Sequence, residues 1–241
     1  AKRTLDAARR VAQPGTVFGV QLAHAGRKAS CRRPWEGGGP LQAGQDPWQT
    51  VSASALPFAD GWHTPNAMAE DEIHTLIGHF VSSAHRARRA GLDFIELHAA
   101  HGYLLHQFIS PLSNLRTDRW GGSLENRVRL AVEVTRAIRG EVPELMLGAR
   151  ISVTDWVEGG LTVDEGVQVA QALEEAGAAY ICCSSGGNSP HQKIPTGPGY
   201  QVHLAEAVKK AVTVPVRAGG GDHRQCHRDG RLRRARVQHG S

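Results

Sequence analysis

The sequence predicts an α/β fold built on a parallel sheet. Short apolar or β-branched runs alternate with helical patterns, and the last four runs start 52, 34 and 35 residues apart. One amphipathic helical pattern lies in each interval. Strand–helix–strand units of this length close through right-handed crossovers, which set successive strands parallel. Hydrophobic residues at 40% and charged residues at 21% are ordinary for one globular domain of 241 residues. No stretch reaches the ~20 apolar residues of a membrane-spanning helix.

Taken in order, "AKRTLDAARRVAQPG" reads as an amphipathic helix stopped by Pro14-Gly15. It carries neither an initial Met nor an apolar leader, and a chain opening inside a helix is expected to be part of something longer. "TVFGVQLA" (16–23) is the first strand candidate. Residues 24–68, rich in Gly, Pro and Ser, are too long for a routine connection; such a loop would cover the active face of a barrel. Over 69–90, Ile73, Ile77, Phe80, Val81 and Ala84 share a helical face, with Gly91 as the stop. Strand candidate "DFIELHA" (93–99) follows. The next helix starts at a Ser123 cap, carries Glu125 in its first turn, and is expected to end at Gly140.

"LMLGARIS" (145–152) leads into a helix with Thr162 and Glu165 as a capping box and Gly177 as terminator. "AYICCSS" (179–185), the short helix "HLAEAVKKA" and "VPVRA" (214–218) complete the pattern. A (β/α)₈ barrel and a doubly wound sheet both fit this periodicity. No GxGxxG follows the first strand, which counts against a dinucleotide-binding Rossmann unit.

The net charge of +5 is localised. Residues 217–241 hold seven Arg and two Asp, so residues 1–216 are neutral overall, and the body of the chain lacks the basic balance of a nucleic-acid binder. Of the four cysteines, Cys31, Cys182, Cys183 and Cys226, none forms a CxxC pair. A reducing cytoplasm is the expected compartment.

Chemistry concentrates at strand ends. In "ELHAAHGYLLHQFISP" (96–111), His98 and His101 could share one small volume if the chain turned into a helical conformation there, with Tyr103 beside them. Such a pair can donate hydrogen bonds to a carbonyl oxygen, bind a metal, or simply sit at a core edge. Gln21 interrupts an apolar strand and needs a partner if buried. Arg150, in "GARIS", needs an anion or an electron-rich acceptor.

Three stretches, "GVQLAHAGRKAS" (19–30), "AGLDFIELHAAHGYLLHQFISPLSNLRTDRWGGSLENR" (90–127) and "GARIS" (148–152), resemble the Old Yellow Enzyme family of FMN-dependent ene-reductases, in its bacterial xenobiotic-reductase-like branch. The similarity extends over roughly residues 1–218. The resemblance implies a TIM barrel with FMN across the C-terminal face, about strands 3 to 7 of which are recognisable. It implies that Gln21 bonds the flavin's pyrimidine edge, that Arg150 lies near N1/O2, and that Gly220 lies near the phosphate. His98 and His101 would grip the oxygen of an unsaturated carbonyl or nitro compound, and Tyr103 would supply the proton. NADPH or NADH would be the reductant, small electron-poor alkenes the substrates. Family members are often homo-oligomeric, and neither membrane nor specific nucleic acid is an expected partner. "RTDRWGGSLENR" reads as a turn into a capped helix, and "SSGG" (184–187) as a tight strand exit.

Both ends depart from the family. Two strands expected before residue 1 are absent, and after "VPVRAGGG" the final strand and its Gly-Arg phosphate anchor are missing. Residues 1–218 are therefore expected to be a partial FMN-binding barrel. Residues 219–241 are expected to be a disordered Arg-rich tail, the product of a frame change near 218–221. Two other readings compete with the reductase. One is an inactive fragment that fails to hold FMN; the other, a metal-dependent barrel hydrolase, fits Gln21 and Arg150 badly.

Overall fold

A computed structural model describes residues 2–219. In chain order the elements are α1 (Lys2–Val11), β1 (Gly19–Leu22), β2 (Val51–Ser52), β3 (Asn66–Ala67), α2 (Glu70–Arg89), β4 (Phe94–Ala99) and α3 (Leu104–Ile109). They continue with α4 (Leu124–Glu141), β5 (Met146–Ser152), α5 (Val163–Glu175), β6 (Ile181–Ser184), α6 (Val202–Ala211) and β7 (Val216–Ala218). Five strands form one sheet in the order β1-β4-β5-β6-β7, every pair parallel. Strands β2 and β3 form a separate two-residue parallel pair inside the long 24–68 segment.

This order settles what periodicity left open. A doubly wound sheet reverses its strand order at a switch point. Here sequence order and spatial order agree from edge to edge, and α2, α4, α5 and α6 pack each on the next. The described residues thus form an arc of a (β/α)₈ barrel.

The two faces of the sheet differ in chemistry because side chains alternate along each strand. Ile95, Leu97 and Ala99 of β4, Leu147, Ala149 and Ile151 of β5, and Ile181 and Cys183 of β6 form one row, buried in the common apolar core under the helices. The opposite row carries Gln21, Glu96, His98, Arg150, Ser152, Cys182, Ser184 and Arg217, brought side by side by the register Gln21↔Glu96, His98↔Arg150↔Cys182↔Arg217 and Ser152↔Ser184. That row faces the barrel lumen.

The helix signals hold with one correction. Ser123 Oγ accepts from Asn126 N at 3.3 Å, and Thr162 and Glu165 bond each other reciprocally. Gly91 (φ +83°) and Gly177 (φ +106°) follow the ends of α2 and α5. Gly140, however, does not end α4, which continues through Glu141. The stop is Pro143, which has no N–H to donate and pushes the preceding Val142 (φ −137°) out of helical geometry. Buried Arg127, in the "GGSLENR" turn, ties α4 to its neighbours by donating to Ile109 O and pairing with Glu165.

Candidate active site

The site is built at the C-terminal ends of the sheet strands. After β4 the chain does not turn helically between the two histidines, as a shared volume was expected to require. His101 (φ +57°) and Gly102 (φ +70°) are both left-handed, and α3 begins only at Leu104. The turn nevertheless brings the rings together: His98 and His101 centroids are 5.1 Å apart, and the Tyr103 ring meets His98 edge-on at 4.9 Å.

Their electrostatics follow from the surroundings. Burial first, then the Arg150 charge and more weakly His106 and Lys28, push His98 down to about 4. The same causes, with His98 added, push His101 down to about 3. Both rings are neutral near neutrality, and a neutral imidazole can both donate and accept. His101 Nε2 lies 2.6 Å from Ser184 Oγ, while His98 Nδ1 is buried with no hydrogen-bond partner. Arg150, the register neighbour of His98, reaches only Ser184 Oγ at 3.5 Å, and its buried Nε is likewise unpartnered.

Gln21 is exposed rather than buried, and its partner is a carboxylate absent from the sequence reading: Nε2 donates to Glu96 Oε1 at 2.8 Å. Glu96 also receives the Tyr180 hydroxyl and Arg217 Nη2, each at 3.0 Å. Burial, and then the Glu96 charge, push the Tyr180 phenol well up, keeping it a donor. Held through its nitrogen, the Gln21 amide has its carbonyl oxygen left for a ligand N–H. Gly220 lies outside the described residues, as does nearly all of the basic tail; its neighbour Gly219 is buried, and a Cβ there would crowd Arg150 and Cys183 O.

The long 24–68 segment does lie over these strand ends. Arg27 is buried and donates to Leu56 O, Pro57 O and Asn188 O, fastening the segment to the loop after β6. Lys28 Nζ donates to His101 O at 3.0 Å and Gly187 O at 2.9 Å and stands 4.6 Å from the centre of the Phe58 ring. Burial, then the neighbouring Arg27, push Lys28 down to about 8. Glycine at 187 is a steric requirement: its φ is +92°, and a Cβ there would collide with His101 Cα.

These residues fit a flavin mononucleotide. Two buried nitrogen atoms without partners, one of them cationic, share the lumen face with a half-satisfied amide, and glycines line the strand exits. Among the described residues no group of three or more His, Cys, Asp or Glu is placed to hold a metal ion, and Cys31, Cys182 and Cys183 are free thiols. No helix of the described residues is long and apolar enough to cross a membrane.

Fold and lumen face together define a β/α-barrel protein with a polar cluster of His98, His101, Tyr103, Arg150 and Ser184 at its C-terminal strand ends. Comparison with known proteins specifies the kinship. The family model for the NADH:flavin oxidoreductase / NADH oxidase family matches residues 5–235. The chain is 46% identical over 223 residues to NADH:flavin oxidoreductase FG08077 of Gibberella zeae, covering 85% of this chain and 54% of that protein. It is 40% identical over 210 residues to an NADPH dehydrogenase of Geobacillus thermodenitrificans, covering 87% of this chain and 57% of that one. The solved structure of morphinone reductase superposes with a TM-score of 0.69 at 26% identity, over 94% of this chain and 61% of that chain. The chain belongs to the NADH:flavin oxidoreductase / NADH oxidase family, the Old Yellow Enzyme-like FMN proteins with a TIM-barrel fold. It spans a little over half the length of the curated relatives it matches.

Proposed function

We propose that the protein is an FMN-dependent ene-reductase, using NADPH or NADH to saturate the alkene of α,β-unsaturated carbonyl or nitro compounds. When bound, FMN supplies the redox step, taking hydride from the nicotinamide and passing it to the alkene β-carbon. Gln21, through its free carbonyl oxygen, and Arg150, through its unpartnered guanidinium nitrogen, are the residues to hold it. The Arg150 guanidinium would also favour negative charge on the bound group.

The observation that carries this reading is the neutral imidazole pair, His98 and His101, beside Tyr103 at one strand end. Hydride addition to an enone builds negative charge on the carbonyl oxygen. Preorganised N–H donors in a water-poor site stabilise that charge without reorganising. Imidazoles with such depressed basicity near neutrality remain donors, as neutral N–H groups. The proton for the α-carbon then comes from the Tyr103 hydroxyl. Free thiols on the described cysteines suit a reducing cytoplasm.

The test is NADPH oxidation by FMN-supplied protein under anaerobic conditions, with and without an enone such as 2-cyclohexenone. Enone-dependent turnover that yields the saturated ketone supports the proposal. NADPH consumption unaffected by the enone contradicts it.

A further inference from the structure

The left-handed turn at His101–Gly102 is the most heavily braced piece of backbone at the site. All four of its peptide polar groups are held by side chains. Ser152 Oγ accepts from His101 N at 3.0 Å, and Lys28 Nζ donates to His101 O at 3.0 Å. His106 Nδ1 accepts from Gly102 N at 2.9 Å, and Gln107 Nε2 donates to Gly102 O at 2.7 Å. A non-glycine residue rarely adopts this conformation and persists in it only where its surroundings over-determine it.

Of the four braces, His106 has its own support. It is completely buried, and its far nitrogen Nε2 lies 3.2 Å from Asp155 Oδ1, itself completely buried, in a contact too bent to be a hydrogen bond; neither atom has another partner among the described residues. The other Asp155 oxygen accepts from Ser110 Oγ at 2.6 Å and from Leu161 N at 2.8 Å. Burial alone would raise the Asp155 carboxyl; its neighbours His106, Ser110 and Leu161 N outweigh it and hold the group below its ordinary value. A backbone N–H can only donate, so His106 Nδ1 must carry a lone pair. A neutral ring with its lone pair on Nδ1 carries its proton on Nε2, the nitrogen that faces the Asp155 carboxylate. Donors from both sides thus converge on Asp155, Ser110 from one and the Gly102–His106 pair from the other, and the far end of the chain is the peptide that follows His101.

We propose that His106, held in its Nε2–H tautomer by the Gly102 N–H on Nδ1 with the Asp155 carboxylate facing Nε2, is a positioning residue that holds the His101–Gly102 turn and thereby aims the His101 imidazole into the lumen. The consequence for catalysis rests on the ene-reductase reading; the positional claim does not. A carboxylate behind an imidazole commonly sets its tautomer and orientation, as when the imidazole binds a metal. Here the imidazole's load is a backbone amide.

Two readouts on the full chain test this without cofactor or substrate. The first uses the unaltered protein labelled with ¹⁵N-histidine: the His106 nitrogen shifts should report protonated Nε2 and unprotonated Nδ1 at neutral pH. The opposite tautomer or an imidazolium would overturn the proposal. The second follows the titration of His101, assigned with His101→Gln, whose environment includes Arg150, His98, His106 and Lys28. In the unaltered protein His101 stays neutral down to about 3. His106→Gln reaches Asp155 but withdraws the acceptor from Gly102, and should move the His101 midpoint by at least about two units toward the free value near 6.5. His106→Asn keeps an acceptor where Nδ1 stood and should leave His101 neutral. A purely structural role predicts lower melting temperatures with His101 unmoved in both variants, and that result would sink the proposal, as would equal movement in both. Failure here would leave the enone-dependent activity untouched, and loss of that activity would leave these shifts as they are.

Discussion

Ser184 Oγ lies 2.6 Å from His101 Nε2, bridging β6 to the turn after β4. Arg150 Nη2 donates to the same oxygen at 3.5 Å. We expect Nε2 to be the acceptor and the ring's proton to be on Nδ1, the nitrogen then left for the oxygen of the proposed substrate. The serine is thus expected to select which nitrogen of His101 donates.

Ser184→Ala should release that choice. A buried hydrogen bond of this kind is worth about 1–3 kcal/mol, so kcat/KM for an enone should fall roughly 5- to 150-fold. The rate of flavin reduction by NADPH should stay within about twofold. Unchanged kcat/KM in steady-state assays would show that the tautomer is set elsewhere.

Tyr103→Phe removes the proposed proton donor while keeping the ring that packs on His98. General-acid contributions are typically about 10²- to 10⁴-fold. Stopped-flow traces should show the alkene half-reaction slowed by that order and the reductive half-reaction preserved. Equal slowing of both halves would point to a disturbed pocket instead.

Acid should destabilise the protein well before its carboxylates protonate. His98 and His101 have folded values of about 4 and 3, below the unfolded value near 6.5, so as pH falls the unfolded chain takes up protons first. Stability is full above about pH 6.5 and declines as pH drops toward 4 and 3. His24, also lowered, by burial and then His79, acts in the same direction. Asp93, Asp118 and Asp155 are depressed acids whose contribution fades only at lower pH. The urea midpoint should therefore be lower at pH 5 than at pH 7.5, and replacing both site histidines with glutamine should flatten the slope. A midpoint that rises on acidification would contradict the buried neutral pair.

Gly187→Ala should be costly out of proportion to one methyl group. The position has φ +92° and abuts His101 Cα, so the variant combines left-handed strain with backbone displacement. A loss of more than about 2 kcal/mol in denaturant unfolding is expected. A change below 0.5 kcal/mol, on the order of a neutral surface substitution, would mean that the β6 exit gives way freely.

Much of the architecture was legible because it is written locally. Short apolar or β-branched runs located all five sheet strands, and the Thr162–Glu165 and Ser123 caps marked the helices they begin. Gly140 misled because an isolated glycine near a helix end costs only about 1 kcal/mol, whereas Pro143 forbids continuation. At the site, His98, His101, Tyr103, Gln21 and Arg150 stood out as polar residues at strand ends. Their partners did not. Ser184 is 83 residues from His101, and Glu96 is 75 from Gln21. Such pairings follow from strand register, which one sequence does not display. His106 carried no signal of its own, since its role depends on Asp155, which follows the C-terminal end of β5. The left-handed turn was hidden as well, because only tertiary contacts hold His101 at φ +57°.

The central claim is that the lumen face holds FMN through Gln21 and Arg150, and an FMN titration followed by flavin fluorescence tests it most directly. The account predicts saturable binding to the 241-residue chain, weakened at least about tenfold by Arg150→Met. No saturable binding, or equal affinity in the variant, would contradict it.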